Sequence, residues 1–253
     1  LCTTWSWRSL FPRGTLRSTE RSATFGASHT IGELFDPQAE LHIDHHYRAH
    51  WSQAGAIVFV TFRSKDSIPR EVLHRWHREK IAWLERKGIR VQGDFESALS
   101  RLPTDDANAF RKYFNRQREI CLDQCLGRCL LRQPRLAQIV ADSLLYFDHD
   151  RYRMGDFVVM PNHVHLLVAF QSEQRMRQQF DSWLHWTATQ INRATGGSGH
   201  FWQEEPFDHL VRSSEQYEYL RGYIHDNPIK AGLNPGEYFY RKAPYSRRSL
   251  RRS

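Results

Sequence analysis

The stretch VVMPNHVHLLV, residues 158–168, sets two histidines into a run that is otherwise almost wholly apolar. Side chains alternate across a strand, so His163 and His165 project to one face about 6–7 Å apart while Val164 faces the other. Two imidazoles at that separation can converge on one divalent ion. The pair alone fits equally well with hydrogen-bonded histidines at a sheet surface, so a third donor is needed. QYEYLRGYIHDNP, residues 216–228, offers one. Residues four apart share a helical face, so Tyr223 and Asn227 lie one above the other, and Tyr219 extends the stripe one turn back. Asn227 directly precedes Pro228, which disfavours further helix and puts the phenol and the amide near a helix end. The plain alternative is a tyrosine packed on the sheet and an asparagine capping the helix.

Several elements must hold these groups in place. GAIVFVTFR (55–63) is β-branched and aromatic and reads as a buried strand, broken by Asp66 to Pro69. Arg70 to Lys87 follows as a helix, stopped by Gly88. Residues 89–133 are charged and irregular, with one short helix at 105–118, and read as an insertion. After Pro134 an amphipathic helix runs to Phe147. Strands at 152–160 and 163–170 are separated by Pro161 and Asn162, the residues of a tight reversal, and so form an antiparallel hairpin. A helix from Glu173 to about Arg193 precedes a glycine linker that has no following Lys-Ser or Lys-Thr and so is no phosphate cradle. A short strand at 209–212 leads into a last helix, opened by a capping box at Ser213 and Gln216 and stopped by Pro228. This order fits a ferredoxin-like α+β fold: a split βαβ antiparallel sheet with helices on one face and an extra C-terminal helix carrying the tyrosine.

The bulk numbers narrow the partner. The 253 residues carry 36 Lys and Arg against 28 Asp and Glu, a formal charge of +8. The C-terminal tail, 241–253, contributes Arg241, Lys242, Arg247 and Arg248 with no acid, a pattern that tracks polyanions and makes nucleic acid the first candidate. The apolar runs fall well short of the ~20 residues of a membrane helix, and mean hydropathy is -0.67. Residues 1–45 are rich in Ser, Thr and Arg with little periodicity, and are expected to be a disordered extension. Cys121, Cys125 and Cys129 are spaced by four, which is not the C-x-x-C spacing of zinc sites, and read as reduced cysteines of a cytoplasmic protein.

MPNHVHLL at 160–167, GHFWQEEPFDHLVRSSEQ at 199–216 and YIHDNPIKAGL at 223–233 resemble the signature blocks of the REP-associated tyrosine transposases, within the single-tyrosine HUH class. The resemblance covers roughly residues 46–240, with the blocks in the expected order. It implies a nucleoid-associated enzyme, monomeric or homodimeric. Such an enzyme cuts and rejoins single-stranded DNA at hairpin-forming repeats through a 5′-phosphotyrosine link, leaving a free 3′-hydroxyl. It also implies Tyr223 as nucleophile and His163, His165 and Asn227 as ligands of Mg²⁺ or Mn²⁺. Imidazole is an unusual ligand for Mg²⁺, whereas two histidines with an amide oxygen suit Mn²⁺. His209, Arg212 and Lys230 are further candidates for phosphate contact, together with the tail; Trp202 and Phe207 could stack on bases or fill the core. Two other readings stand beside the enzyme: a DNA-binding protein that recognises palindromic repeats without cutting them, and a zinc hydrolase using Asp156.

Overall fold

A computed structural model describes residues 31–39, 42–45, 49–203 and 206–244. Arg247, Arg248 and most of the segment 1–45 lie outside these residues. A short antiparallel hairpin, β1 (His42–His45) and β2 (Ala49–Ser52), leads into β3 (Ile57–Arg63). Then come α1 (Arg70–Arg86), α2 (Phe95–Leu99), α3 (Thr104–Asp123), α4 (Pro134–Leu145), β4 (Tyr152–Val159), β5 (His163–Phe170) and α5 (Glu173–Thr195). The chain closes with β6 (Phe207–Leu210), α6 (Ser214–Lys230) and β7 (Phe239–Arg241).

The main sheet has five strands in the order β6-β3-β5-β4-β7, every neighbouring pair antiparallel. The hairpin β4–β5 turns at Pro161 and Asn162, as the turn residues require. On one face Val58, Val60 and Phe62 of β3 and Val164, Leu166 and Val168 of β5 pack against Leu136, Val140 and Leu144 of α4 and Phe180 and Trp183 of α5. Burying this β-branched and aliphatic surface is what holds the sheet and the two crossover helices together. The opposite face is covered as well. There Ile57, Phe59, Leu167 and Ala169 meet Tyr217, Leu220 and Ile224 of α6. With both faces covered, every residue of β5 is buried, including its two histidines.

Three expectations change. Residues 31–36, inside the segment expected to carry no fold, lie along the sheet: Ile57 N donates to Glu33 O, Phe35 N donates to Val211 O, and Ile31 is buried. Gly155 makes room for Ile31, since a Cβ there would collide with its Cδ1. Residues 89–133 are not irregular. Helix α3 runs to Asp123, five residues beyond the expected end, and Phe110 and Phe114 join Leu84, Ala98 and Leu99 in a satellite core between α1, α2 and α3. Its apolar residues recur at helical spacing, and Asp105 and Asp106 favour the helix start. Finally, α6 continues through Pro228 to Lys230. Pro228 lacks the N–H that would bond to Ile224 O, and the helix carries this one lost bond in its last turn. Asn227 therefore remains helical and in register with Tyr223.

Candidate functional site

β5 supplies the histidines. His163 and His165 lie on its α6-facing side with ring centroids 4.6 Å apart, both fully buried. Each ring is held by a neighbour. His163 Nδ1 is 2.7 Å from Asn162 Oδ1. That amide oxygen can only accept, so the proton sits on Nδ1 and Nε2 keeps its lone pair. His165 Nδ1 is 2.8 Å from Thr61 Oγ1, the residue directly opposite in β3. A hydroxyl there can receive the Nδ1 proton and again leave Nε2 as a donor atom for a ligand. Asn162 is itself fixed, its Nδ2 donating to Leu126 O at 3.0 Å. Phe59 stacks on His165 at 5.4 Å.

Helix α6 supplies the rest. Its N-terminus is capped by Ser213, whose Oγ accepts from Gln216 N at 3.1 Å, and the Gln216 side chain reaches back to accept from Arg212 N at 2.8 Å. This fixes the start of the helix and the rotation that aims Tyr223 and Asn227 at the sheet. Tyr223 Oη stands 3.4 Å from His165 Nε2. Asn227 is fully buried. Tyr219, the other tyrosine of the stripe, is 70% exposed and points away into solvent.

Helix α3 enters the site from a third direction, which the sequence did not announce. Glu119 Oε2 accepts a hydrogen bond from Tyr223 Oη at 2.7 Å and lies 3.6 Å from His165 Nε2. Asp123 Oδ1 accepts from Asn227 Nδ2 at 3.2 Å. That bond leaves the amide oxygen as the free end of Asn227. The residues missed by sequence reasoning are thus Thr61, Asn162, Glu119 and Asp123. Thr61 could have been found from the strand register; Glu119 and Asp123 lie 104 residues from their partners with no local signal.

The electrostatics follow from burial. It lowers His163 well below the usual imidazole range, with His165 adding to the shift, and pulls His165 down to about 3, with Arg118 adding to that. Both rings are neutral at neutral pH, the form that binds metals. Burial, and then the charges of Glu119 and Asp123, push the Tyr223 phenol far up. Asp123 is raised to about 6 by burial and by Glu119. The ligand-free site therefore keeps its tyrosine protonated.

Two buried polar atoms have no hydrogen-bond partner here: His163 Nε2 and Asn227 Oδ1. Unsatisfied buried groups of this kind cost about 1–3 kcal/mol each and call for a partner. Among the described residues no three His, Cys, Asp or Glu side chains form a metal-holding group by themselves. The amide oxygen of Asn227 would be the third donor of such a site, and two imidazoles and an amide oxygen with two carboxylates nearby suit a divalent cation.

The remaining candidates separate. His209 lies on β6 against Phe59, ring centroids 5.2 Å apart, and burial lowers its pKa. Lys230 Nζ lies 5.6 Å from the centroid of the Tyr223 ring, at the mouth of the site. Arg212 is exposed at the start of α6 and Lys242 is exposed beyond β7. Arg241 is engaged in the fold, reaching Asp148 at 3.3 Å and the carbonyls of Met154 and Gly155. Trp202 is core, donating to Thr187 Oγ1 at 2.7 Å, whereas Phe207 is half-buried beneath the Arg118 guanidinium. Asp156, which a hydrolytic reading would need beside the histidines, instead accepts from Arg221 Nε at 3.2 Å and from Ala243 N at 2.9 Å.

Compared with solved structures, the chain is similar to a REP-associated tyrosine transposase bound to a REP hairpin, with a TM-score of 0.38 and 15% identity over 76% of each chain. No family model matches the chain, and no curated protein matches it. Among the described residues no helix is long and apolar enough to cross a membrane.

Proposed function

We propose that this chain cleaves and rejoins single-stranded DNA at hairpin-forming repeats through a phosphotyrosine intermediate, with Tyr223 as nucleophile and His163, His165 and Asn227 holding Mg²⁺ or Mn²⁺. One observation carries the reading: a phenol 3.4 Å from one buried imidazole, beside a second imidazole and an amide whose atoms His163 Nε2 and Asn227 Oδ1 form no hydrogen bond of ordinary geometry. Two such atoms beside a nucleophile argue for a reaction. The basic charge of +8 and the signature blocks around these residues favour DNA as the substrate. The order β6-β3-β5-β4, with α4 and α5 on one face, supports a ferredoxin-like core.

A divalent ion bound at this site would offset negative charge on the scissile phosphate. The chain's own residues do the remaining work. α6 aims Tyr223 Oη at the phosphorus. The Oη–P bond forms as the P–O3′ bond breaks, giving a 5′-phosphotyrosine and a 3′-hydroxyl. The phosphotyrosine keeps the energy of the broken ester, so the 3′-hydroxyl of a strand can attack it and join without ATP. Thr61 and Asn162 hold the imidazoles in their ligand-competent tautomers.

The test is a labelled single-stranded hairpin oligonucleotide incubated with the protein and Mn²⁺. Wild type gives a covalent adduct that survives denaturation and Tyr223→Phe gives none. An adduct of equal yield from Tyr223→Phe, or no adduct from wild type, contradicts the reading.

A further inference from the structure

Two carboxylates on α3 face the two functional residues of α6 pair by pair. Glu119 receives the Tyr223 hydroxyl at 2.7 Å, and one turn on Asp123 receives the Asn227 amide at 3.2 Å. The reaction proposed above leaves one proton without a destination, because the phenolic hydrogen must leave Oη as the bond to phosphorus forms. Of the two acceptors beside Oη, Glu119 Oε2 at 2.7 Å is at hydrogen-bonding distance, while His165 Nε2 at 3.4 Å is far longer than the usual O–H···N contact. His165 Nε2 is also the atom that would hold the metal. The Glu119 carboxylate is anchored from its far side, where its other oxygen, Oε1, pairs with Arg118 at 3.2 Å, and that guanidinium lies 3.9 Å over the Phe207 ring. Oε2 is thus presented to the phenol and not shared with the arginine.

We infer that Glu119 is a catalytic residue of this strand cleavage. Its Oε2 takes the Tyr223 proton as Oη bonds to phosphorus and the P–O3′ bond breaks, while the departing 3′-oxygen is protonated from water. On rejoining, the attacking 3′-hydroxyl gives its proton to water as its oxygen bonds to phosphorus, and Glu119 returns its proton to Oη as the Oη–P bond breaks. The inference rests on Tyr223 being the nucleophile, and it makes α3 part of the active site.

The test measures adduct formation by the full chain on the labelled hairpin with Mn²⁺, with hairpin binding followed separately by gel shift. Glu119→Gln keeps the size and removes the accepting anion. It should slow adduct formation on the order of 10²–10⁴-fold, the usual worth of a positioned proton acceptor, with hairpin binding unchanged. Glu119→Asp should recover part of the rate. A fluorinated tyrosine at position 223, which gives up its proton more readily, should restore the Glu119→Gln protein towards wild type, which no merely structural role would produce. Adduct formation by Glu119→Gln at the wild-type rate, or failure of the fluorinated tyrosine to rescue it, overturns the inference while leaving Tyr223 in place. Absence of an adduct from wild type overturns the proposed function and this role together.

Discussion

On one side of β5, Val164, Leu166 and Val168 meet α4 and α5, and three polar groups reaching that layer are paired: Trp183 Nε1 to Ser143 O, Trp202 Nε1 to Thr187 Oγ1, Tyr152 Oη to Leu144 O. On the other side the same strand turns His163 and His165 towards α6 and α3, and there His163 Nε2 and Asn227 Oδ1 are buried without partners. Neighbouring residues of one backbone thus face a closed apolar layer and a layer that keeps two ligand atoms open. The first layer stabilises the sheet. The second leaves two buried polar atoms unsatisfied at a cost in stability, as the proposed site requires.

The largest effect belongs to the closed layer: Leu166→Ala should lower the unfolding free energy by about 2–5 kcal/mol, read by urea denaturation, and the loss should be the same with or without Mn²⁺. Next comes a change that touches only the open layer. Thr61→Val removes the hydroxyl that holds His165 Nδ1, and Mn²⁺ affinity by calorimetry should fall about 10- to 100-fold with the fold intact. If Thr61→Val binds Mn²⁺ as wild type does, the imidazole orientation is not set as described.

The third effect is acid sensitivity. His163 and His165 have folded values below the ordinary 6.5, His165 at about 3. Between those limits the unfolded chain takes up protons that the folded chain refuses, so the two histidines make stability fall as pH drops from about 6.5 towards 3. Asp123, raised to about 6, acts with the opposite sign, since the folded chain takes up its proton first. The urea midpoint of His165→Asn should therefore decline less steeply with acid than that of wild type, and Asp123→Asn should decline more steeply. Parallel curves would remove the histidines from the account. The smallest effect is Tyr219→Phe. At 70% exposure it should change stability by no more than about 0.5 kcal/mol and leave adduct yield as in wild type.

Much of the open layer is legible in the sequence, because strand alternation alone pairs His163 with His165 and helical spacing alone pairs Tyr223 with Asn227. The hairpin at Pro161 and Asn162 and the cap at Ser213 are local chemistry and are read the same way. The contribution of α3 is not legible. Its outer face carries Arg111, Lys112, Tyr113 and Arg116, all exposed, so its polar sequence looks like loop until Phe110 and Phe114 find the satellite core. Glu119 and Asp123 become functional candidates only once that core sets the axis of α3 against α6. The strand β7 and the stretch 31–36 escape sequence reading for a related reason: each is short and gains its order by pairing with a sheet already formed. Pro228 misleads in the other direction, since α6 carries it and continues to Lys230.

Tyr223 is the residue proposed to bond to DNA. The most direct measurement digests the covalent adduct formed by the full chain on a hairpin oligonucleotide with Mn²⁺ and locates the nucleotide on the peptide by mass spectrometry. A nucleotide joined through its 5′-phosphate to Tyr223 is the predicted result. Attachment at Tyr219 or at any other side chain, or linkage through a 3′-phosphate, would contradict the account.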